Sequence, residues 1–256
     1  MMVDVGNTRI KWRMAGREGS VVHLDEGWPL RLRADWERLS PPTGIFVGSV
    51  VGAQVNATLQ ATAELLWPGC GVTWLQSQAS LCGVRIQYAE PQRFGIDRFA
   101  ALLAAHDEFA GQAMLVVDAG TAITMDVLDA SGLHRGGMIM PGRRLLCASL
   151  AQGAAQLGAL DAEPENFGGG FQHQTRAAML SGVGCMMRGA LLDALKQAAN
   201  VLGQRPVLVL TGGDATVLLA QLEVQGQENA QWTAHARAGL VLDGLELMAE
   251  RCAQLR

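Results

Sequence analysis

Short apolar runs alternate with amphipathic stretches along the chain. Met1–Val5 is an apolar run, and the alternating segment Arg9–Ala15 follows it after a Gly-Asn-Thr turn. This arrangement is typical of a β-hairpin. Ala113–Val117 and Ala122–Asp129 repeat it in the second half of the chain. Two similar hairpins are therefore predicted.

The remaining elements follow from the same patterns. Apolar runs bounded by turn residues predict strands, and apolar positions three and four residues apart predict helices. The strands are Ile45–Val51, Val72–Leu75, Leu133–Met140 and Pro206–Leu210, and the helices are Gln54–Trp67, Arg98–Ala110, Arg176–Leu202 and Thr233–Cys252. Residues 16–44 show no clear pattern, and the Gly-, Gln- and Ala-rich residues 152–174 predict a loop.

The chain repeats its own turn motifs. Asp4-Val5-Gly6-Asn7-Thr8 recurs as Asp118-Ala119-Gly120-Thr121-Ala122, and Phe46–Ser49 has a later counterpart in Leu210–Gly213. Each Asp-x-Gly segment follows an apolar strand and precedes an alternating one. A repeat of this kind predicts a duplicated α/β fold with a cleft between its halves. The halves would be residues 1–112 and 113–256.

Composition excludes several classes of protein. The chain has 256 residues, of which 49% are hydrophobic and 17% charged, with a net charge of -4. Without a basic surplus, nucleic-acid binding is not expected. The apolar runs are too short to span a membrane, and Asp4 interrupts the first one as no signal peptide would. The five scattered cysteines indicate reduced thiols, so we expect a cytoplasmic protein.

The two Asp-x-Gly turns are candidates for binding phosphate. Backbone N–H groups of such a turn can point into one space, with hydroxyl or amide donors beside them. A carboxylate at the strand end can hold Mg²⁺ through water or face another cation. Either turn taken alone is typical of an ordinary connection, but the pair in register with both halves favours a phosphate clamp. The chain has no G-x-x-x-x-G-K-[ST] motif and no G-x-G-x-x-G between a strand and a helix.

The motifs Asp-x-Gly-Asn-Thr, Gly-x-Asp-Arg, Asp-x-Gly-Thr-Ala and Gly-Gly occur in this order along the chain. In this order and at this length the sequence resembles the type III pantothenate kinases over essentially its whole length. The resemblance implies duplicated ribonuclease H-like (actin-like) domains, with mixed sheets flanked by helices and an ATP cleft between them. It also implies a homodimer and the ATP-dependent phosphorylation of pantothenate to 4'-phosphopantothenate, the first step of coenzyme A biosynthesis.

The resemblance also implies roles for individual residues. The ATP-binding residues would be Asp4, Val5, Gly6, Asn7, Thr8, Arg9, Ile10, Lys11, Thr121, Gly212 and Gly213. The pantothenate-binding residues would be Tyr88, Gly95, Ile96, Asp97, Arg98 and Thr175, with Asp97 as the proton acceptor. Asp118 would hold a monovalent cation, K⁺ or NH₄⁺, and Asp4 would hold the Mg²⁺ of ATP indirectly.

The residues themselves leave simpler structural roles open. Asp97 precedes a predicted helix and is an equally suitable N-cap, as is Thr175 before the long helix. Tyr88 would by default pack with its hydroxyl in water, Arg98 would be a surface or ion-pair residue, and Gly212-Gly213 would be a turn. Here the family resemblance, and not the spacing, favours a functional role.

Two other functions remain open from the sequence. A kinase of the same fold could act on another small alcohol such as a sugar. Trp, Asn and Glu residues near Asp97 would favour this, but they are few. A nucleotide-binding regulator that kept the fold is the non-enzymatic alternative. Loss of one of the three acids Asp4, Asp97 and Asp118 would indicate such a regulator, and all three are present.

Overall fold

The computed structural model of the chain describes residues 1–153, 170–223 and 232–254. The chain folds into two compact units, one of Met1–Glu108 with Gly239–Arg256 and one of Phe109–Ala238. Most of the loop predicted at residues 152–174 lies outside the described residues. The predicted halves, 1–112 and 113–256, differ from these units chiefly in where the last segment belongs.

The first unit is built on a five-stranded sheet. Its elements up to residue 108 are β1 (Met2–Val5), β2 (Arg9–Met14), β3 (Arg17–Val22), α1 (Trp28–Trp36), β4 (Ile45–Ser49), α2 (Ala53–Leu66), β5 (Val72–Trp74), the hairpin β6 (Ser80–Leu81) and β7 (Val84–Arg85), and α3 (Ile96–Glu108). The sheet order is β3-β2-β1-β4-β5, antiparallel as far as β1 and parallel from there. One face packs on α1 and α2 through apolar side chains that include Val3, Val5, Ile10, Leu32 and Leu59.

The second unit repeats this topology. Its elements are β8 (Met114–Ala119), β9 (Ala122–Leu128), β10 (His134–Pro141), α4 (Arg143–Gly153), α5 (Thr175–Leu202), β11 (Val207–Thr211), α6 (Ala215–Glu223) and β12 (Ala234–Ala236). The sheet order is β10-β9-β8-β11-β12, with the same sequence of antiparallel and parallel pairs. The internal repeat seen in the sequence is therefore a repeat of structure.

The last helix, α7 (Leu240–Gln254), belongs to the first unit. It crosses α3 so closely that a Cβ atom on Gly244 would overlap the carbonyl group of Ala100. Arg13 of β2 forms an ion pair with Asp243 of α7. Burial alone would lower the pKa of Arg13, but its hydrogen bonds to Asp243 and Glu18 outweigh burial and raise that pKa.

The prediction of one helix over Thr233–Cys252 is wrong at its start. Residues Ala234–Ala236 form β12, which pairs in parallel with β11, and α7 begins only at Leu240. Gly239 separates the two elements with a φ of +77°, a conformation that ends a regular helix or strand. Pairing with a distant strand decided this segment, and local periodicity cannot show such pairing.

Helix α5 meets the length and composition expected of a membrane span. It has 28 residues and a mean hydropathy of 1.3 in its most apolar window, and 44% of that window is buried. Its buried side chains, among them Val183, Met187, Leu191 and Leu195, belong to the core of the second unit. Burial in a core explains the apolar composition of α5 without a membrane.

Candidate active site

The first Asp-x-Gly turn joins β1 to β2. The N–H of Gly6 donates to the carbonyl oxygen of Arg9 at 3.0 Å and closes the turn. Asp4 is 7% exposed, and its partner across the antiparallel pair is Lys11. Directly opposite residues place their side chains on the same face of the sheet. A buried carboxylate and a cationic side chain thus lie beside the turn.

Gly48 connects this turn to the Gly-x-Asp-Arg motif. It is the partner of Asp4 in the parallel pair of β1 and β4. A Cβ atom on Gly48 would lie 3.4 Å from Cγ1 of Ile96 and 2.7 Å from Cδ2 of Leu245. The start of α3 therefore packs on the strand next to Asp4. Folding brings the first turn and the Gly-x-Asp-Arg motif to the same side of the sheet, although they are far apart in sequence.

Asp97 lies in the first turn of α3. The helix begins at Ile96, and the N–H of Phe99 donates to the carbonyl oxygen of Gly95 at 2.9 Å. Asp97 is thus inside the helix and not at the N-cap position. Its Oδ1 accepts the N–H of Arg98 at 2.8 Å, so the carboxylate satisfies one of the amides that a helix start leaves unpaired. A Cβ atom on Gly95 would lie 2.6 Å from this oxygen, so the glycine makes room for the carboxylate.

Phe94 joins the two side chains that the sequence assigns to pantothenate. The ring of Tyr88 meets the ring of Phe94 edge-on, with centroids 5.0 Å apart. The guanidinium carbon of Arg98 lies 4.4 Å from the centroid of the same ring. Phe94 is buried and Tyr88 is 42% exposed. The sequence analysis missed Phe94, although its place next to the Gly-x-Asp-Arg motif was a usable signal.

His23 supports the first turn and was also missed. Its Nε2 lies 2.7 Å from the carbonyl oxygen of Gly6, and its backbone N–H donates to the carbonyl oxygen of Thr8 at 3.1 Å. Two hydrogen bonds from one residue thus hold the turn from outside the motif. Nothing in the spacing of His23 indicates this contact.

The second Asp-x-Gly turn joins β8 to β9. The N–H of Gly120 donates to the carbonyl oxygen of Ala122 at 3.1 Å. Asp118 pairs with Thr211 across β8 and β11, and Gly212 follows at once with a φ of +91°. A Cβ atom on Gly212 would overlap Asp118 Oδ1 and lie 2.6 Å from the carbonyl group of Ala119. Only glycine fits at position 212, and its backbone lies directly against the turn. A Cβ atom on Gly213 would meet open space.

Thr175 begins α5 in the second unit. It is exposed, the N-cap position belongs to Gln174, and no side chain caps the helix there. The alternative that Thr175 is the N-cap of this helix is therefore wrong. The pantothenate contact stays a prediction.

A sequence model of the family "Type III pantothenate kinase" matches residues 1–197. The chain belongs to the type III pantothenate kinase family. The type III pantothenate kinase of Burkholderia cenocepacia strain J2315 is 33% identical over 270 residues, with 97% of this chain and 94% of the relative covered. The type III pantothenate kinase of Burkholderia mallei strain SAVP1 is 34% identical over 268 residues, covering 97% and 98%. The family assignment made from the motifs is thus confirmed.

Solved structures support the fold class expected of a type III pantothenate kinase. A Baf family protein from Campylobacter jejuni, described as a transcriptional activator, has a TM-score of 0.60 at 19% identity, with 98% of each chain covered. MreB 5 of Spiroplasma citri has a TM-score of 0.53 at 9% identity, covering 99% of this chain and 96% of its own. An archaeal actin homologue has a TM-score of 0.50 at 13% identity, covering 98% of each chain. The predicted actin-like class, with two mixed sheets flanked by helices, is confirmed.

Proposed function

We propose that this member of the type III pantothenate kinase family transfers the γ-phosphoryl group of ATP to the primary hydroxyl of pantothenate. The product is 4'-phosphopantothenate, and the reaction is the first step of coenzyme A biosynthesis. The observation that carries this proposal is the packing of Ile96 on Gly48, the neighbour of Asp4. This packing supports the proposal, because the helix that carries Asp97 begins against the strand that pairs with Asp4. Phosphoryl transfer depends mainly on such positioning and on charge neutralisation.

Asp97 is the proposed general base. It would orient the pantothenate hydroxyl and accept its proton as the phosphoryl group is transferred. Arg98 and Tyr88 would bind pantothenate around the ring of Phe94, which already contacts both side chains. A guanidinium group suits the pantothenate carboxylate or hydroxyl groups equally well. Thr175 would contribute a further hydroxyl contact.

ATP would bind through the first turn, Asp4–Lys11, together with Thr121 and the Gly212-Gly213 pair. Neither Gly6 nor Gly120 has a positive φ, and a Cβ atom on either would meet only ordinary contacts of 3.5–3.6 Å within the chain. Their lack of a side chain is therefore not required by the fold around them. It leaves room for phosphate to approach the backbone.

The proposed cations fit the oxygen ligands on each turn. Mg²⁺ and K⁺ prefer oxygen donors, and each turn carries one carboxylate, Asp4 or Asp118. In residues 1–153, 170–223 and 232–254 no three His, Cys, Asp or Glu side chains converge on one point. The Mg²⁺ of the proposal would be held mainly by ATP and would reach Asp4 through water. Asp118 would bind K⁺ or NH₄⁺ beside the second turn.

A homodimer is part of the same proposal. Large exposed apolar side chains lie on β10, α4 and α5 of the second unit, where α4 contacts both other elements. They are Met138, Ile139, Leu145, Leu150 and Met186. Exposed apolar side chains such as those on α4 are candidates for an interface with another chain. The proposed location is the cytoplasm, which suits the five free cysteines.

The test is a coupled assay of ATP consumption with pantothenate in potassium and in sodium-only buffers, with mass spectrometry of the product. We expect phosphopantothenate, and a strong loss of activity without K⁺ or NH₄⁺. Asp118→Ala should abolish the potassium dependence together with most of the activity. Turnover of sugars but not pantothenate would indicate the alternative kinase. Equal rates in both buffers would contradict the role of Asp118.

A further inference from the structure

The second Asp-x-Gly turn accepts backbone hydrogen bonds from two other segments of the chain. On one side Gly142 donates its N–H to the carbonyl oxygen of Thr121 at 2.9 Å. A Cβ atom on Gly142 would overlap the carbonyl oxygen of Gly120. On the other side Asp214 donates its N–H to the carbonyl oxygen of Ala119 at 3.0 Å. Backbone contacts from two distant segments thus fix the main chain of the turn.

Arg143 and Asp214 join these two segments. Nη2 and Nε of Arg143 lie 2.9 Å and 3.1 Å from Oδ1 of Asp214. The side chains are only 15% and 12% exposed, so water screens the pair weakly. Arg143 begins α4 directly after Gly142, and the carbonyl oxygen of Asp214 accepts the N–H of Leu218 at the start of α6. The ion pair therefore closes a ring of contacts that runs from residues 119–121 through Gly142 and Arg143 to Asp214 and back.

We propose that Arg143 and Asp214 are positioning residues for ATP, which hold the second turn in the conformation that receives phosphate. This inference rests on the proposed role of Gly120 and Thr121 in ATP binding. Neither side chain has to touch the nucleotide. Arg143 acts through the N–H of the preceding residue, Gly142, and Asp214 acts through its own backbone N–H. Gly212 leads into Asp214 and lies directly against Asp118, since a Cβ atom on Gly212 would overlap Asp118 Oδ1. The same ring thus positions the carboxylate assigned to the monovalent cation.

The alternative is an ion pair that stabilises the second unit and has no effect on ATP. The two interpretations differ in which Michaelis constant responds. A purely structural pair would lower the melting temperature and leave both KM values of the folded enzyme unchanged. A positioning pair changes the KM for ATP and the potassium dependence in protein that is still folded, and spares the KM for pantothenate.

The experiment compares Arg143→Gln, Asp214→Asn and the double variant with the wild type. We expect the KM for ATP to rise about 10-fold or more, since small displacements of binding groups are costly. The KM for pantothenate should change less than about 2-fold. The double variant should be no worse than the poorer single variant, because both substitutions break one interaction. Arg33→Gln is the matched control, since it removes the same charge from the exposed Arg33–Glu37 pair.

A second measurement needs no turnover. Cys147 follows Arg143 by one helical turn and is 1% exposed, and burial raises the pKa of its thiol. The charge of Arg143 lowers this pKa and that of Asp214 raises it, so the double variant, which removes both charges, is the one to compare. If the ring opens in the double variant, Cys147 should react with iodoacetamide several times faster than in the wild type. Peptide mass spectrometry separates this signal from exposed Cys185. ATP should slow the reaction in the wild type.

The outcomes separate the two proposals. A wild type that neither binds ATP nor phosphorylates pantothenate overturns the proposed function. An active wild type whose variants keep the KM for ATP and the protection of Cys147 overturns the positioning role alone. Variants in which both KM values are unchanged and only the melting temperature falls also overturn it.

Discussion

At the scale of a single residue, Asp97 has one observed role and one proposed role. Its Oδ1 accepts the N–H of Arg98, which a first-turn carboxylate does well because the helix dipole also favours negative charge there. The proposed chemistry needs the same carboxylate as a proton acceptor. One side chain can do both, since hydrogen bonding to the amide uses only part of its acceptor capacity.

Asp97→Asn separates these tasks. Asparagine keeps an oxygen for the amide of Arg98 but removes the base, so the fold should persist while kcat falls by about 10²–10⁴-fold. Steady-state kinetics and a thermal melt measure the two effects. Asp107→Asn, at an exposed position of the same helix, is the control and should change neither. Near wild-type turnover of Asp97→Asn would leave Asp97 with a structural role only.

At the scale of elements, two β-hairpins present the same turn chemistry. Their loops differ in length: Gly6 donates to a residue three positions on, and Gly120 to a residue two positions on. The strands around them nevertheless pair in the same order. The units therefore share a framework and not an identical turn.

Replacing Gly6 or Gly120 with Val tests the phosphate-binding role of each turn. Neither backbone needs a positive φ, and a Cβ atom at either position would make only ordinary contacts, so we expect folded protein. The added side chain would crowd the approach of phosphate to the backbone, and ATP affinity should fall about tenfold or more in each variant. Isothermal titration with ATP and with pantothenate measures this, and pantothenate binding should survive better. Gly71→Val, in open space, is the control.

The comparison of ATP affinity between the Gly6 and Gly120 variants tests whether the two turns bind the same ligand. If only one substitution weakens ATP binding in folded protein, the turns do not serve the same ligand. The sequence repeat would then reflect strand and turn composition alone.

At the scale of the whole molecule, the last helix, α7, belongs to the same unit as the first strands of the chain. Helix α7 packs on α3, whose first turn carries Asp97. The ion pair of Arg13 with Asp243 fixes α7 on β2 as well. The stability of the first unit thus depends on residues at both ends of the chain.

Gly244→Ala should destabilise this packing. Its methyl group would overlap the carbonyl of Ala100, and overpacking of this kind costs about 1–3 kcal/mol. Urea unfolding with a probe in the first unit, such as Trp36, measures the loss. Gly189→Ala in α5 is the matched control, because its methyl group meets open space and alanine favours a helix by about 0.5–1 kcal/mol. Equal stability of the two variants would mean that the helices can separate without cost.

The sequence by itself determined the hairpins, their Asp-x-Gly turns and the repeat that relates the two halves. These features are local: strand alternation and turn chemistry act over a few residues, so they can be read from neighbours in the chain. The motif order was enough for the family and the fold class. The start of α3 was predicted within two residues, but the alternative of an N-cap role for Asp97 was wrong, because the helix begins one residue earlier, at Ile96.

Only the tertiary structure decided which distant residues support these turns. The packing of Ile96 on Gly48 and the ion pair of Arg143 with Asp214 depend on packing and strand pairing. The same holds for β12, which forms because it pairs with β11, and for the return of α7 to the first unit. Contacts between residues far apart in sequence leave no periodic pattern in a single chain, because their spacing is set by the fold and not by the local backbone.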